Sequence, residues 1–147
     1  MIKDKEFKRL FDTIACSHGF EPSFGGWFKE SDECIVVLDL QKSNYGNYYE
    51  MNIKTYIQGV FGNRYYRNKH LVKKDTGDIF TRQPKEYNDV LDLDNSMDYN
   101  ARRQKLESLF VNFVIPDTNS TLTKAGIIDQ VKKGSFLLPA IKKELGL

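Results

Sequence analysis

Two histidines and two cysteines are the only imidazoles and thiols among the 147 residues, so the chemistry open to this chain is narrow from the start. Cys16 and His18 stand two apart in a helical stretch, where each residue turns by about 100°, so their side chains diverge by roughly 200° and make no nucleophile and base pair. Cys34 opens a strand-like run and reads as a small apolar residue. With His70 the one imidazole left, neither a catalytic triad nor a zinc site has its partners. The acidic run offers Asp92, Asp94, Ser96 and Asp98 at the 1, 3, 5, 7 spacing of a calcium loop. Met97, however, stands where the sharp turn needs glycine, and Arg103 where a bidentate glutamate closes the site. Asp98 reads instead as the cap of the helix that follows. Neither familiar glycine-rich phosphate loop is present. The expectation is no metal, no cofactor and no catalytic residue, with carboxylate pairs as the one acid–base chemistry the letters leave open.

Two constellations are better suited to recognition. The first is the stretch Gln41, Lys42, Ser43 with Asn52, Lys54 and Tyr56 one strand away. If the two runs pair as a hairpin, Asp39, Gln41, Asn52 and Lys54 share a polar face, where amides both donate and accept. The competing account is that Gln41 and Ser43 satisfy the turn's own backbone. The second is FGNRYYRNKHLVKK, residues 61–74, where Arg64, Tyr65, Tyr66, Arg67 and Lys69 interleave cations with rings as a single-stranded nucleic-acid groove would. Against that stands the acidic stretch 85–98, five acids to one lysine, which makes a solvated or mutually paired surface the simpler account.

The elements that must position these residues follow from periodicity. Phe7, Leu10, Phe11, Ile14 and His18 fall on one helical face, and Gly19 follows, where a left-handed C-cap suits glycine. Strands are predicted at 24–30, 34–41 and 48–57, the second apolar on both sides and central. The third alternates strictly, with Tyr49, Met51, Ile53, Thr55 and Ile57 inward and Tyr48, Glu50, Asn52, Lys54 and Tyr56 outward on a polar face. Weaker strands are predicted at 77–82 and 90–93. A helix after Asp98 is expected to close at Pro116, and two short helices follow, ending at Gly134 and Gly146. The sum is an α+β fold: an antiparallel β-meander with an N-terminal helix and C-terminal helices packed on one face.

Composition agrees with one domain over residues 1–147. The 22 basic and 20 acidic side chains give a net charge of +2, far from the strongly basic balance of most nucleic-acid domains. The 40% of hydrophobic residues excludes disorder, and two cysteines exclude a disulfide-stapled scaffold. No apolar run approaches the ~18–20 residues of a membrane span, the opening MIKDKEFKRL lacks a secretory core, and a reducing cytoplasm is the expected location.

The helix ending in Gly19-Phe20, the aromatic strand around Phe28, the strand running into Gln41-Lys42-Ser43, and the turn followed by Tyr49 and Asn52 together resemble the bacterial domain-of-unknown-function family 4304. The resemblance covers about the first 60 residues and implies a fold and a bacterial origin; it brings no catalytic residue. The function expected is a small cytoplasmic, non-catalytic module that binds a protein or peptide partner through the polar sheet face. An immunity protein against a competitor's toxin is one version, by family analogy. Two rivals are carried: an enzyme with an acid–base pocket between sheet and late helices, and single-stranded nucleic-acid binding through residues 61–74.

Overall fold

Strict alternation in YEMNIKTYI and the β-branched run CIVVLDLQK make the two longest strands, β4 (Tyr49–Ile57) and β3 (Cys34–Lys42), and their nine-residue register is the centre of the fold. The computed structural model describes residues 1–147. Strands β1 (Glu21–Ser23), β2 (Gly26–Glu30), β3, β4 and β5 (Ile79–Arg82) pair in chain order as one antiparallel meander. The strand predicted at 24–30 is β2, which starts two residues later: Phe24 and Gly25, at positive φ, make the tight turn that joins it to β1, a strand with no signal in the sequence.

Helix α1 (Asp4–Ser17) turns Phe7, Leu10, Phe11 and Ile14 onto one face of the sheet, over Trp27, Leu38, Leu40, Met51 and Ile53. It ends as its sequence indicates, with Gly19 at φ +89° and Phe20 folded back into the core. Helix α3 (Tyr99–Leu109) lays Leu106 and Leu109 on the same layer. The helix expected to stop at Pro116 instead runs on. A π-helical stretch at Phe110–Val114 widens the turn, and Pro116 falls at the opening of α4 (Ile115–Thr121), where its missing N–H costs little. Helices α5 (Lys124–Lys132) and α6 (Pro139–Glu144) close the far end of that face over Cys34 and Ile57. The α+β class, the meander and the terminal helices on one face are as the sequence implies.

Three features depart from it. Residues 90–93 form no strand: Val90, Leu91 and Leu93 are core, and only a single bridge, Tyr48–Asp92, pairs the segment, with Tyr49 N–H donating to the Leu91 carbonyl and Leu93 N–H to the Asn47 carbonyl, while the guanidinium of Arg102 takes the Val90 and Asp92 carbonyls. A helix unannounced in the sequence, α2 (Lys69–Lys73), is capped by Asn68, whose Oδ1 accepts from the His70 and Leu71 N–H groups. Third, α2 lies on the sheet face expected to be open. Its Leu71 and Val72 pack on Phe28, Ile35, Val37 and Tyr56, so that face is half covered.

Candidate functional site

Cross-strand columns decide what this second face offers. Val37↔Lys54↔Phe80, Asp39↔Asn52↔Arg82 and Gln41↔Glu50 all project to the α2 side, because partners in an antiparallel pair share a face. Helix α2 roofs the Tyr56 end. From Asp39 onward the roof stops, and a cleft of about 490 Å³ opens.

A chain of hydrogen bonds forms its floor. The Asp39 carboxylate accepts from Lys73 Nζ at 3.2 Å and from Asn52 Nδ2 at 3.4 Å, and lies 3.9 Å from Lys54 Nζ. Asn52 Nδ2 also donates to Gln41 Oε1 at 3.0 Å, while Arg82 donates from Nε to Asn52 Oδ1 at 2.8 Å and from Nη2 to Gln41 Oε1 at 3.3 Å. Lys54 Nζ donates to the Val72 carbonyl at 2.6 Å, near the end of α2. Burial lowers the Lys54 pKa, opposed by Asp39 and reinforced by Lys73. Around this floor the lining carries six cations (Lys8, Lys42, Lys54, Lys73, Lys74, Arg82) against two carboxylates, Asp39 and Asp75. That excess of four positive charges exceeds the net +2 of the whole chain. Chemically, the cleft suits an anionic, hydrogen-bonding ligand.

The residues singled out from sequence divide between this cleft and other places. Gln41, Asn52 and Lys54 belong to the floor, but Asn52 and Lys54 are buried, so the open polar face expected between Asp39 and Tyr56 does not exist as such. Tyr56 is sealed beneath α2 and donates to the Leu71 carbonyl at 2.7 Å; burial raises its pKa. Lys42 faces the α1 side, donating to Asp4 at 2.9 Å and lying 4.7 Å from the centre of the Tyr49 ring. Ser43 accepts the Tyr45 N–H at 2.9 Å, the turn role. Of the basic-aromatic set, Arg67 is held by Glu21 and Glu30 over the Phe28 ring, and Tyr65 packs on Tyr56, its backbone N–H donating to Gln58 Oε1 at 2.8 Å and its carbonyl accepting from Gln58 Nε2 at 3.0 Å. Arg64, Tyr66 and Lys69 are exposed. The five do not form one groove.

Lys73, Lys74 and Arg82 also line the cleft, and no motif in the sequence marks them. The Lys73-Lys74 pair was visible as part of a charge run, but only the tertiary fold aims it at Asp39. Arg82 was visible as a polar end to a weak strand, and its column with Asn52 depends on the β4–β5 register. Between the sheet and the late helices lies a second pocket, about 100 Å³, edged by Ile79, Thr121, Ile127 and Phe136. Its one ionisable residue is Asp117, whose pKa burial raises, so it lacks the pair that acid–base work needs.

The thiols are separate and both free. Cys34 is fully buried, and burial pushes its pKa up to about 12; Cys16 is exposed, its pKa raised by burial of the sulfur and by Asp12. Native protein treated with iodoacetamide is therefore expected to take one adduct, at Cys16, and to take it slowly. Peptide mass mapping that found Cys34 alkylated before unfolding would contradict the packing at the α5–α6 end.

A family model described as Domain of unknown function (DUF4304) matches residues 11–120. Neither a curated protein nor a solved structure matches the chain.

Proposed function

Since the chain belongs to the family described as Domain of unknown function (DUF4304), a membership that brings no activity with it, we propose that this domain is a non-catalytic recognition module whose cleft takes a negatively charged protein or peptide partner. The observation that carries the reading is the lining itself: six cations and two carboxylates around a satisfied amide–guanidinium floor. A floor whose donors and acceptors already engage one another is rigid before binding, which lowers the ordering cost of association. Its one amine of lowered pKa, Lys54, is buried and held by the Val72 carbonyl beside Asp39, and the cleft holds no metal-ligand set, which favours binding over turnover. Excess charge of one sign in a concave site steers an oppositely charged partner and weakens with salt.

The setting we propose is a bacterial cytoplasm, supported by the two unpaired thiols, and neutralising a competitor's toxin is one task that a basic cleft with an acidic partner would serve. The test is affinity isolation from host extract at low salt with the wild-type domain, beside K73E/K74E/R82E and the control R64E/K69E. We expect a reproducible partner of acidic character that is retained by wild type and control, lost from the cleft variant, and released as salt rises past roughly the ionic strength where the Debye length falls below 8 Å. A partner held equally by the cleft variant, or no reproducible partner, overturns the proposal.

A further inference from the structure

Strand β2 is shorter than the strand it lies against, and this leaves a sheet edge open inside the cleft. Pairing of β2 with β3 ends at Trp27↔Leu38, while β3 runs on to Lys42, paired only with β4. The direction of the unpaired groups follows from the ladder. Ser43 N–H bonds the Tyr48 carbonyl, and Ser31 N–H bonds the Cys34 carbonyl. Antiparallel bonding alternates residue by residue, so Asp39 and Gln41 bond toward β4 whereas Leu40 and Lys42 present N–H and C=O toward the side that β2 has vacated. The far flank shows how the fold treats the same problem elsewhere: where β5 ends, Gln83 Oε1 accepts the Met51 N–H at 2.9 Å. No strand and no side chain does this for Leu40 or Lys42, and both residues line the cleft.

Cations flank that edge on both faces of the sheet. Lys42 and Lys8 lie on the α1 side, Lys73 and Lys74 on the α2 side. A strand added here would turn alternate side chains to each face, so acidic residues of either phase would meet lysine. We infer that the partner of this module docks by strand addition: an extended, acidic segment of a protein pairs its backbone with Leu40 and Lys42 in the line vacated by β2. The inference rests on the charged-cleft reading above and specifies how that cleft is used. Backbone bonds supply the attachment and the lysines supply the selection for acidic side chains.

The probe is acetyl-Glu-Thr-Glu-Glu-Thr-Glu-amide, with a second copy N-methylated at all four inner residues so that neither of its edges can donate to a sheet. Binding is followed on the full chain by amide NMR shifts and hydrogen exchange. Acidic side chains stand in both phases, so the parent can pair through either of its edges and only methylation of both should cost about tenfold or more in affinity. The Leu40 and Lys42 amides should exchange more slowly with the parent peptide bound. Lys42→Pro removes an N–H that points away from β4, so the hairpin ladder survives and peptide binding falls, whereas Lys42→Gln retains the backbone donor and should keep protection at Leu40. If the methylated peptide binds like the parent while K73E/K74E/R82E abolishes binding, strand addition is overturned and the charged-cleft reading stands. If the parent peptide does not bind, strand addition of an acidic segment fails. If an eight-residue oligothymidylate binds at the cleft in its place, the protein-partner reading fails with it.

Discussion

Replacing Arg102 by methionine is expected to remove about 3–5 kcal/mol of folding stability, the largest effect of any single substitution considered for this domain. Arg102 is fully buried. Its Nη1 donates to the Val90 carbonyl at 2.6 Å and the Asp92 carbonyl at 3.1 Å, and its Nη2 donates to the Asn95 carbonyl at 2.9 Å. Burial lowers its pKa, and the carboxylates of Asp92 and Asp89 oppose that shift. Methionine fills similar space but donates nothing, so the Val90 and Asn95 carbonyls lose their partners and the Asp92 carbonyl keeps only the Asn95 N–H, and the loop they belong to holds Val90, Leu91 and Leu93 in the main core. Lysine at the same position supplies a point charge in place of a planar fork, so Arg102→Lys should recover only part of the loss. Urea denaturation measures both. A midpoint shift corresponding to less than about 1 kcal/mol for Arg102→Met would mean that water replaces the guanidinium, and that the loop is not held by it.

Asp39→Asn is expected to cost about 3–4 kcal/mol near neutral pH, the lower part of the range for breaking a buried ion pair because Lys54 keeps the Val72 carbonyl. The Asp39 and Lys54 side chains are 8% and 5% exposed, so water does little to replace the lost carboxylate. The pH dependence has a definite sign. An amine whose folded-state pKa lies below its ordinary 10.5, as burial makes that of Lys54, binds fewer protons folded than unfolded. Stability therefore rises with pH through the window between the folded-state pKa and 10.5. Asp39 favours the ammonium, so its removal lowers the Lys54 pKa further and opens that window at lower pH. The deficit of Asp39→Asn against wild type should accordingly shrink as pH climbs toward 10.5. Denaturation at several pH values decides this; a deficit that stays constant or grows would show that the ammonium of Lys54 is not the group left uncompensated.

These two residues also mark where sequence reading succeeds and where it stops. Asp39 was legible as a member of a polar face because period-2 alternation is local: Asp39, Gln41, Asn52 and Lys54 do share a side of the sheet. That the side is half closed was not legible, since the covering helix is five residues long and its two buried members, Leu71 and Val72, sit inside a run that reads as charge. Arg102 has no such local signature. A buried guanidinium leaves no periodic trace; only the three carbonyls that converge on it, two from the segment 90–93 that reads as a strand and one from Asn95, reveal its task.

What the letters determined by themselves is what depends on neighbours a few positions apart. The apolar stripe and glycine cap of α1, the alternation of β4, the turn at 42–47 and the α+β order of elements all follow from local sterics and burial of one face. Tertiary structure alone decided the site. The cleft draws Lys8 from α1, Asp39 and Lys42 from β3, Lys54 from β4, Lys73 from α2 and Arg82 from β5, residues as much as 74 positions apart whose convergence depends on register and packing. The open edge at Leu40 and Lys42 exists because β2 is four residues shorter than β3, and a strand's length relative to its partner is a property of the pair, not of either sequence.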